Sequence, residues 1–126
     1  MIAIEVGDMV ACQGCGVGHH PDRVLNAGAY TAVDRAETDA ELAHRVNGAA
    51  PRAFAEALSS TGGRLLQVST DFVFNGDQGH PYQPEQTRAP LGVYGASKAA
   101  GEQAVEELLG IGVDGHGAIL RTSWVY

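Results

Sequence analysis

The sequence predicts an α/β fold, a partial Rossmann-like three-layer sandwich with parallel strands in β-α-β-α-β order and helices on both faces. Two observations carry this expectation. Three short apolar runs, residues 24–28, 64–69 and 118–123, have the length of strands and are bounded by glycine or polar punctuation. Between them lie segments with helical patterning, and a crossover of that length closes a parallel pair of strands, which a hairpin cannot do.

The first run, around Val24 and Leu25, is followed by a helical region. Thr38 with Glu41 three residues on has the form of a capping box, in which each side chain satisfies an orphan donor of the first turn. Asn47-Gly48 and Pro51 are expected to bend or divide this region, residues 53–58 resume it, and Gly62-Gly63 stops it. The second run leads into a loop rich in Gly, Pro, Gln and Asp, residues 75–90. A long helix is then expected over residues 91–109, because Ala99, Ala100, Ala104, Val105, Leu108 and Leu109 recur at spacings of three and four and form one apolar face. The third run closes the sheet. In such sheets the chemistry lies beyond the carboxyl ends of the strands, here residues 26–31, 69–74 and 122–126.

A chain of 126 residues accommodates one domain. We divide it into an unassigned segment, residues 1–20, and residues 21–126, which are expected to form the α/β unit. Within the first segment Ile2, Ile4 and Val6 alternate with Ala3, Glu5 and Gly7, a period suited to a strand that covers an open sheet edge. The net charge of -7, with basic residues scattered singly, argues against nucleic-acid and anionic-membrane partners. No stretch approaches the ~20 apolar residues of a membrane span, and the N-terminus lacks the pattern of a signal peptide. A cytoplasmic location is expected, and two cysteines are too few for a disulfide framework.

Tyr94-Gly95-Ala96-Ser97-Lys98 sets a phenol and an ammonium four residues apart, on one face of a helix. A cation so placed can lower a tyrosine pKa towards working pH. Lys98 is the only lysine, the other seven basic residues being arginine. A surface tyrosine packed on a lysine stem would show the same spacing. Ser69-Thr70-Asp71 at the end of the second strand adds a hydroxyl able to hold a substrate carbonyl oxygen while Tyr94 protonates it.

Four motifs in order carry a resemblance: Asn26-Ala27-Gly28-Ala29-Tyr30-Thr31-Ala32-Val33-Asp34, Val68-Ser69-Thr70-Asp71-Phe72-Val73-Phe74, Tyr94 with Lys98, and Leu120-Arg121-Thr122-Ser123-Trp124-Val125-Tyr126. Together they resemble the dTDP-4-dehydrorhamnose reductase family of extended short-chain dehydrogenases. That family reduces a nucleotide-linked 4-keto sugar with NADPH or NADH. The resemblance implies that Tyr94 is the general acid, that Lys98 lowers its pKa and binds the nicotinamide ribose, and that Thr70 orients the keto oxygen. Gly28, Ala29, Tyr30 and Thr31, with Tyr94 and Lys98, would line the cofactor, Asp71 and Trp124 would meet the nucleotide sugar, and Asn47 would order a proton-relay water. A homo-oligomer would form through the exposed sheet edge.

The sequence also departs from that family. Phe72 stands where a tyrosine is frequent, which removes a hydroxyl and keeps the ring. The strand, glycine-rich turn and helix that receive the dinucleotide pyrophosphate have no counterpart in the expected place. Gly14-Cys15-Gly16-Val17-Gly18 imitates such a turn, but its third glycine comes one residue early and no helix follows, so it is read as a connector. Cys12, Cys15, His19 and His20 are read as a loop with two free thiols rather than a zinc site, and no metal is expected, because structural sites join separated ligand pairs. The expected fragment lacks both the glycine-rich unit and the C-terminal substrate domain. Its own activity is open, and the rival readings are a non-catalytic binding or regulatory subunit on the same scaffold, or a truncated gene product without function.

Overall fold

A computed structural model describes residues 21–123 of the chain. Three parallel strands form one sheet in the order β1-β2-β3: β1 is Arg23–Asn26, β2 Arg64–Thr70 and β3 Gly117–Thr122. The helices are α1 (Val33–Ala36), α2 (Ala40–His44), α3 (Ala50–Thr61) and α4 (Val93–Leu109). A π turn, Arg45–Ala49, joins α2 to α3, and a 3-10 turn, Asp71–Val73, follows β2.

The expected strand order and parallel sense are present. β1 stops at Asn26, two residues short of the expected Gly28, because the Asn26 side-chain oxygen accepts from Gly28 N and turns the chain out of the ladder. Asn26 also donates to Gln67 Oε1 at 2.8 Å, so the two central polar residues of β1 and β2 satisfy one another inside the protein.

The capping box is not formed. Thr38 lies at the end of α1, its hydroxyl bonded to Arg35 O, and Asp39 occupies the N-cap of α2 without a side-chain cap. The one-turn helix α1 ahead of Thr38 moves the start of α2 beyond it. The division foreseen at Asn47-Gly48 and Pro51 is the π turn, after which Pro51 sits in the first turn of α3, where its missing N–H costs nothing. Gly62 ends α3 in the left-handed region at φ 76°, donating to Leu58 O.

Alternation along β2 aims Leu65, Gln67 and Ser69 at the helices. Leu65 joins Phe54, Leu58 and Val105 in the core, against which Val24 and Ile119 pack from the flanking strands. Leu25, Leu66 and Leu120 lie on the opposite face and are exposed. Among the described residues, helices thus cover one face of the sheet. The second helical layer of a three-layer sandwich is not supplied by them.

Helix α4 approaches its neighbours at two glycines. A Cβ on Gly101 would stand 2.2 Å from the Asn47 carbonyl oxygen, and one on Gly95 2.2 Å from the Phe72 carbonyl oxygen. These contacts seat α4 between the π turn and the end of β2, which places Tyr94 and Lys98 at the carboxyl edge of the sheet.

Candidate active site

The end of β2 and the first turns of α4 bring Thr70, Tyr94 and Lys98 together along one cleft of about 490 Å³. Its wall also includes Ala27, Ala29, Thr31, Val68, Asp71 and Thr122. Phe72 meets Tyr94 edge to face, ring centroids 5.6 Å apart, and stands 48% exposed at the cleft mouth. A second cleft of about 400 Å³ shares the Asp71, Phe72 and Tyr94 wall and runs to the stacked rings of Phe74 and Tyr82.

The ammonium of Lys98 is tied to the wall of this cleft. The residue is 5% exposed and its Nζ donates to Val68 O at 2.7 Å, a carbonyl near the carboxyl end of β2. Burial pulls its pKa down, and the charge of Glu102 one turn further along α4 works against that. The Tyr94 phenol is pushed up by burial, the Thr70 hydroxyl lowers it, and the Asp71 charge raises it again. The lowering of Tyr94 expected from Lys98 is therefore not present in the free chain. The lysine is directed to a strand carbonyl, with the Glu102 charge one turn along its helix, while a carboxylate lies beside the phenol.

Thr70 caps the 3-10 turn by accepting from Phe72 N, and donates to Asp71 Oδ1 at 3.1 Å. Ser123 donates to the other Asp71 oxygen at 2.6 Å. Asp71, expected to meet the sugar, is thus also the internal partner of two hydroxyls.

The residues assigned to the cofactor divide. Ala29 and Thr31 line the cleft, with Ala27 beside them; Gly28 and Tyr30 do not. The Tyr30 phenol donates instead to Asp39 at 3.0 Å, and its backbone is held from behind by Asn47, whose Oδ1 accepts from Tyr30 N and whose Nδ2 donates to Tyr30 O. Asn47 Nδ2 also donates to Ser97 Oγ, which in turn donates to Tyr94 O. The Asn47 side chain, expected to order a water, is committed to aligning the 26–31 loop with α4. Trp124, Gly14 to Gly18, Cys12, Cys15, His19 and His20 lie outside the described residues, as does the strand expected at Ile2, Ile4 and Val6.

Three residues at the site escaped sequence reasoning. Glu102, Arg88 and Arg121 form a buried ionic cluster behind Lys98. The available signal was the spacing of Glu102, four residues after Lys98 on the same helix. A further unforeseen residue, Glu37, accepts from Val93 N at 2.8 Å and caps α4 from a distant turn.

Residues 3–126 match the family model described as the RmlD substrate binding domain. The chain belongs to that family. The RmlD substrate binding domain match takes in most of the segment that the sequence alone left unassigned. A curated relative, the dTDP-4-dehydrorhamnose reductase of Streptomyces griseus, is 43% identical over 98% of this chain and 39% of its own length. That of Mycobacterium tuberculosis is 46% identical over 85% of this chain and 35% of its own. The crystal structure of the Bacillus anthracis dTDP-4-dehydrorhamnose reductase in complex with NADP superposes with a TM-score of 0.87 at 36% identity, covering 98% of this chain and 42% of that one. The chain thus spans about two fifths of the length of the relatives it matches, and the fold is that of their Rossmann-like α/β domain. No helix among the described residues is long and apolar enough to cross a membrane.

Proposed function

We propose that this chain carries the proton-donating part of a dTDP-4-dehydrorhamnose reductase, acting on the 4-keto group of dTDP-4-dehydro-L-rhamnose with NADPH or NADH. The observation that supports this best is the convergence of Thr70, Tyr94 and Lys98 on one cleft at the carboxyl edge of a parallel sheet. The NADP complex of the Bacillus anthracis relative supports the choice of cofactor.

The described residues suit the nicotinamide end of such a cofactor. Ala27 and Ala29 leave room in the wall, and Lys98 lies along the same cleft. Ala29, Thr31 and Lys98 would hold that end, which when bound supplies a hydride to the carbonyl carbon. Tyr94 donates the proton that the resulting oxygen needs, and its raised pKa keeps the phenol protonated and ready at neutral pH. Thr70 turns its hydroxyl from Asp71 towards the substrate oxygen. Phe72, with its ring against Tyr94, shields the reacting group from water. The third glycine of residues 14–18 comes one residue early for a dinucleotide-binding turn, so the chain by itself is expected to bind NADPH weakly.

The test joins residues 21–126 to a family-type N-terminal half and C-terminal domain and follows NADPH oxidation with a dTDP-4-keto sugar. The chimera is expected to turn over, and Tyr94→Phe to slow it about 10²–10⁴-fold, since the ring remains but the proton is gone. An active chimera that keeps its rate with phenylalanine at this position would overturn the assignment.

A further inference from the structure

Behind the Lys98 face of α4 lies a charged cluster that proton donation does not use. Glu102 is wholly buried, and Arg121 grips it with two nitrogens, Nε to Oε1 at 2.9 Å and Nη2 to Oε2 at 2.7 Å. Arg88 adds Nη1 to Oε2 at 3.1 Å and closes a second fork on Glu106 at 2.8 Å. A buried carboxylate is tolerated only when so paired. Burial would raise its pKa, but Arg121, the nearby Ser69 hydroxyl and Arg88 together pull it below the usual glutamate range. Ser69 Oγ makes no well-formed hydrogen bond and acts here as a neighbour of the carboxylate rather than a donor in line with it.

Arg121 also donates to Pro84 O at 2.8 Å and lies over the Phe74 ring, 5.0 Å from its centroid. The carboxylate of Glu102 is thereby fixed relative to β3 and to the 75–90 loop as well as to α4. Lys98 precedes it by one helical turn and rests on Val68, next to Ser69. Arg88 and Arg121 balance Glu102 and Glu106, which leaves Lys98 as the one cation of this group without an ion pair among the described residues.

We infer that Glu102 is a positioning residue for the Tyr94–Lys98 pair: clamped by Arg121 and Arg88, it keeps the buried Lys98 charged and seated on the Val68 carbonyl. This rests on the reductase reading of the cleft. Glu102 lies one turn beyond Lys98 on its own helix, Tyr94 on that helix and Asp71 from the 3-10 turn share its cleft, and Arg121 from β3 and Arg88 from the loop hold Glu102. Of the other elements packed on α4, α1, α2 and the π turn carry Asp34, Arg35, Glu41, His44 and Arg45 at exposed positions, and Arg52 on α3 pairs with Glu107, more than two turns beyond Lys98 along α4.

Because Lys98 is the only lysine, the full chain grown with [ε-13C]lysine gives one side-chain signal whose pH titration reads this residue alone. Glu102→Gln keeps the shape and removes the charge. The midpoint is expected to fall by about one pH unit, the effect of losing a near opposite charge. A glutamate that only held the fold together would give the other sign: loosening hydrates the lysine and lifts its midpoint towards the ordinary value of about 10.4. A rise or an unmoved midpoint therefore overturns the inference. If the glutamine variant loses its helical circular dichroism, Glu102→Asp decides. It keeps the charge one methylene further back, and a smaller fall is expected, with a rise or no change again overturning the inference. The titration needs neither cofactor nor sugar, so an inactive chimera would remove the reductase reading without touching this result.

Discussion

One amide group, on Asn47, holds three partners at once. It accepts from Tyr30 N, donates to Tyr30 O and donates to Ser97 Oγ, and the residue is 1% exposed. It thus acts like a short piece of strand laid along the 26–31 loop, which has no ladder partner there. Asn47→Ala would strand a backbone donor and an acceptor together with the Ser97 hydroxyl. At about 0.5–1.5 kcal/mol for each bond lost, the expected destabilisation is roughly 2–4 kcal/mol, measured as a drop in the urea midpoint. The reason sequence reading gave Asn47 a water instead is physical. Its partners are 17 and 50 residues away, and a lone asparagine beside a glycine carries no mark of what it will meet.

Helix α4 is positioned by absences. Gly95 lies against the Phe72 carbonyl and Gly101 against the Asn47 carbonyl, each so close that no Cβ fits. The neighbour in both cases is backbone and cannot swing aside. Gly95→Ala is expected to lift the first turn of α4 from the end of β2, costing about 1–3 kcal/mol as an overpacked contact, visible as a lower thermal midpoint. It would also separate Tyr94 from Thr70, so in the chimera the rate should fall more than the stability loss explains. The helix itself was legible, because its apolar spacing needs only its own residues. The strands were legible for the same reason. The start of α2 was not: Thr38 and Glu41 have the right spacing for a cap, and the one-turn helix α1 before them, too short to leave a period, takes Thr38 for its own end.

For the molecule as a whole, the cluster around Glu102 links stability to pH. Its folded pKa lies below the ordinary glutamate value, so the stabilisation is fully present above that value, about 4.3, and is lost as pH falls through the lowered folded value. Acid unfolding should therefore begin below about pH 4. In Glu102→Gln the acid limb should be shallower, which denaturation curves at stepped pH would show; an unchanged limb would mean that other carboxylates carry it. This cluster could not be read in advance, since Arg88 and Arg121 stand 14 and 19 residues from Glu102 and only the fold brings them together. What could be read was the carboxyl edge of the sheet, because the parallel order follows from crossover length and fixes where strand ends and helix starts must meet.

Lys98 has a consequence for how the chain can be cut. A protease specific for lysine has a single site in these 126 residues, and that site lies inside α4 with its side chain tucked against β2. Cleavage needs an extended backbone, so the folded chain offers no target until α4 lifts from the sheet. When reclosing is faster than cutting, the digestion rate follows the population of that opened state. The residue that we propose at the centre of the chemistry is thus also the point at which the integrity of the whole fold can be timed.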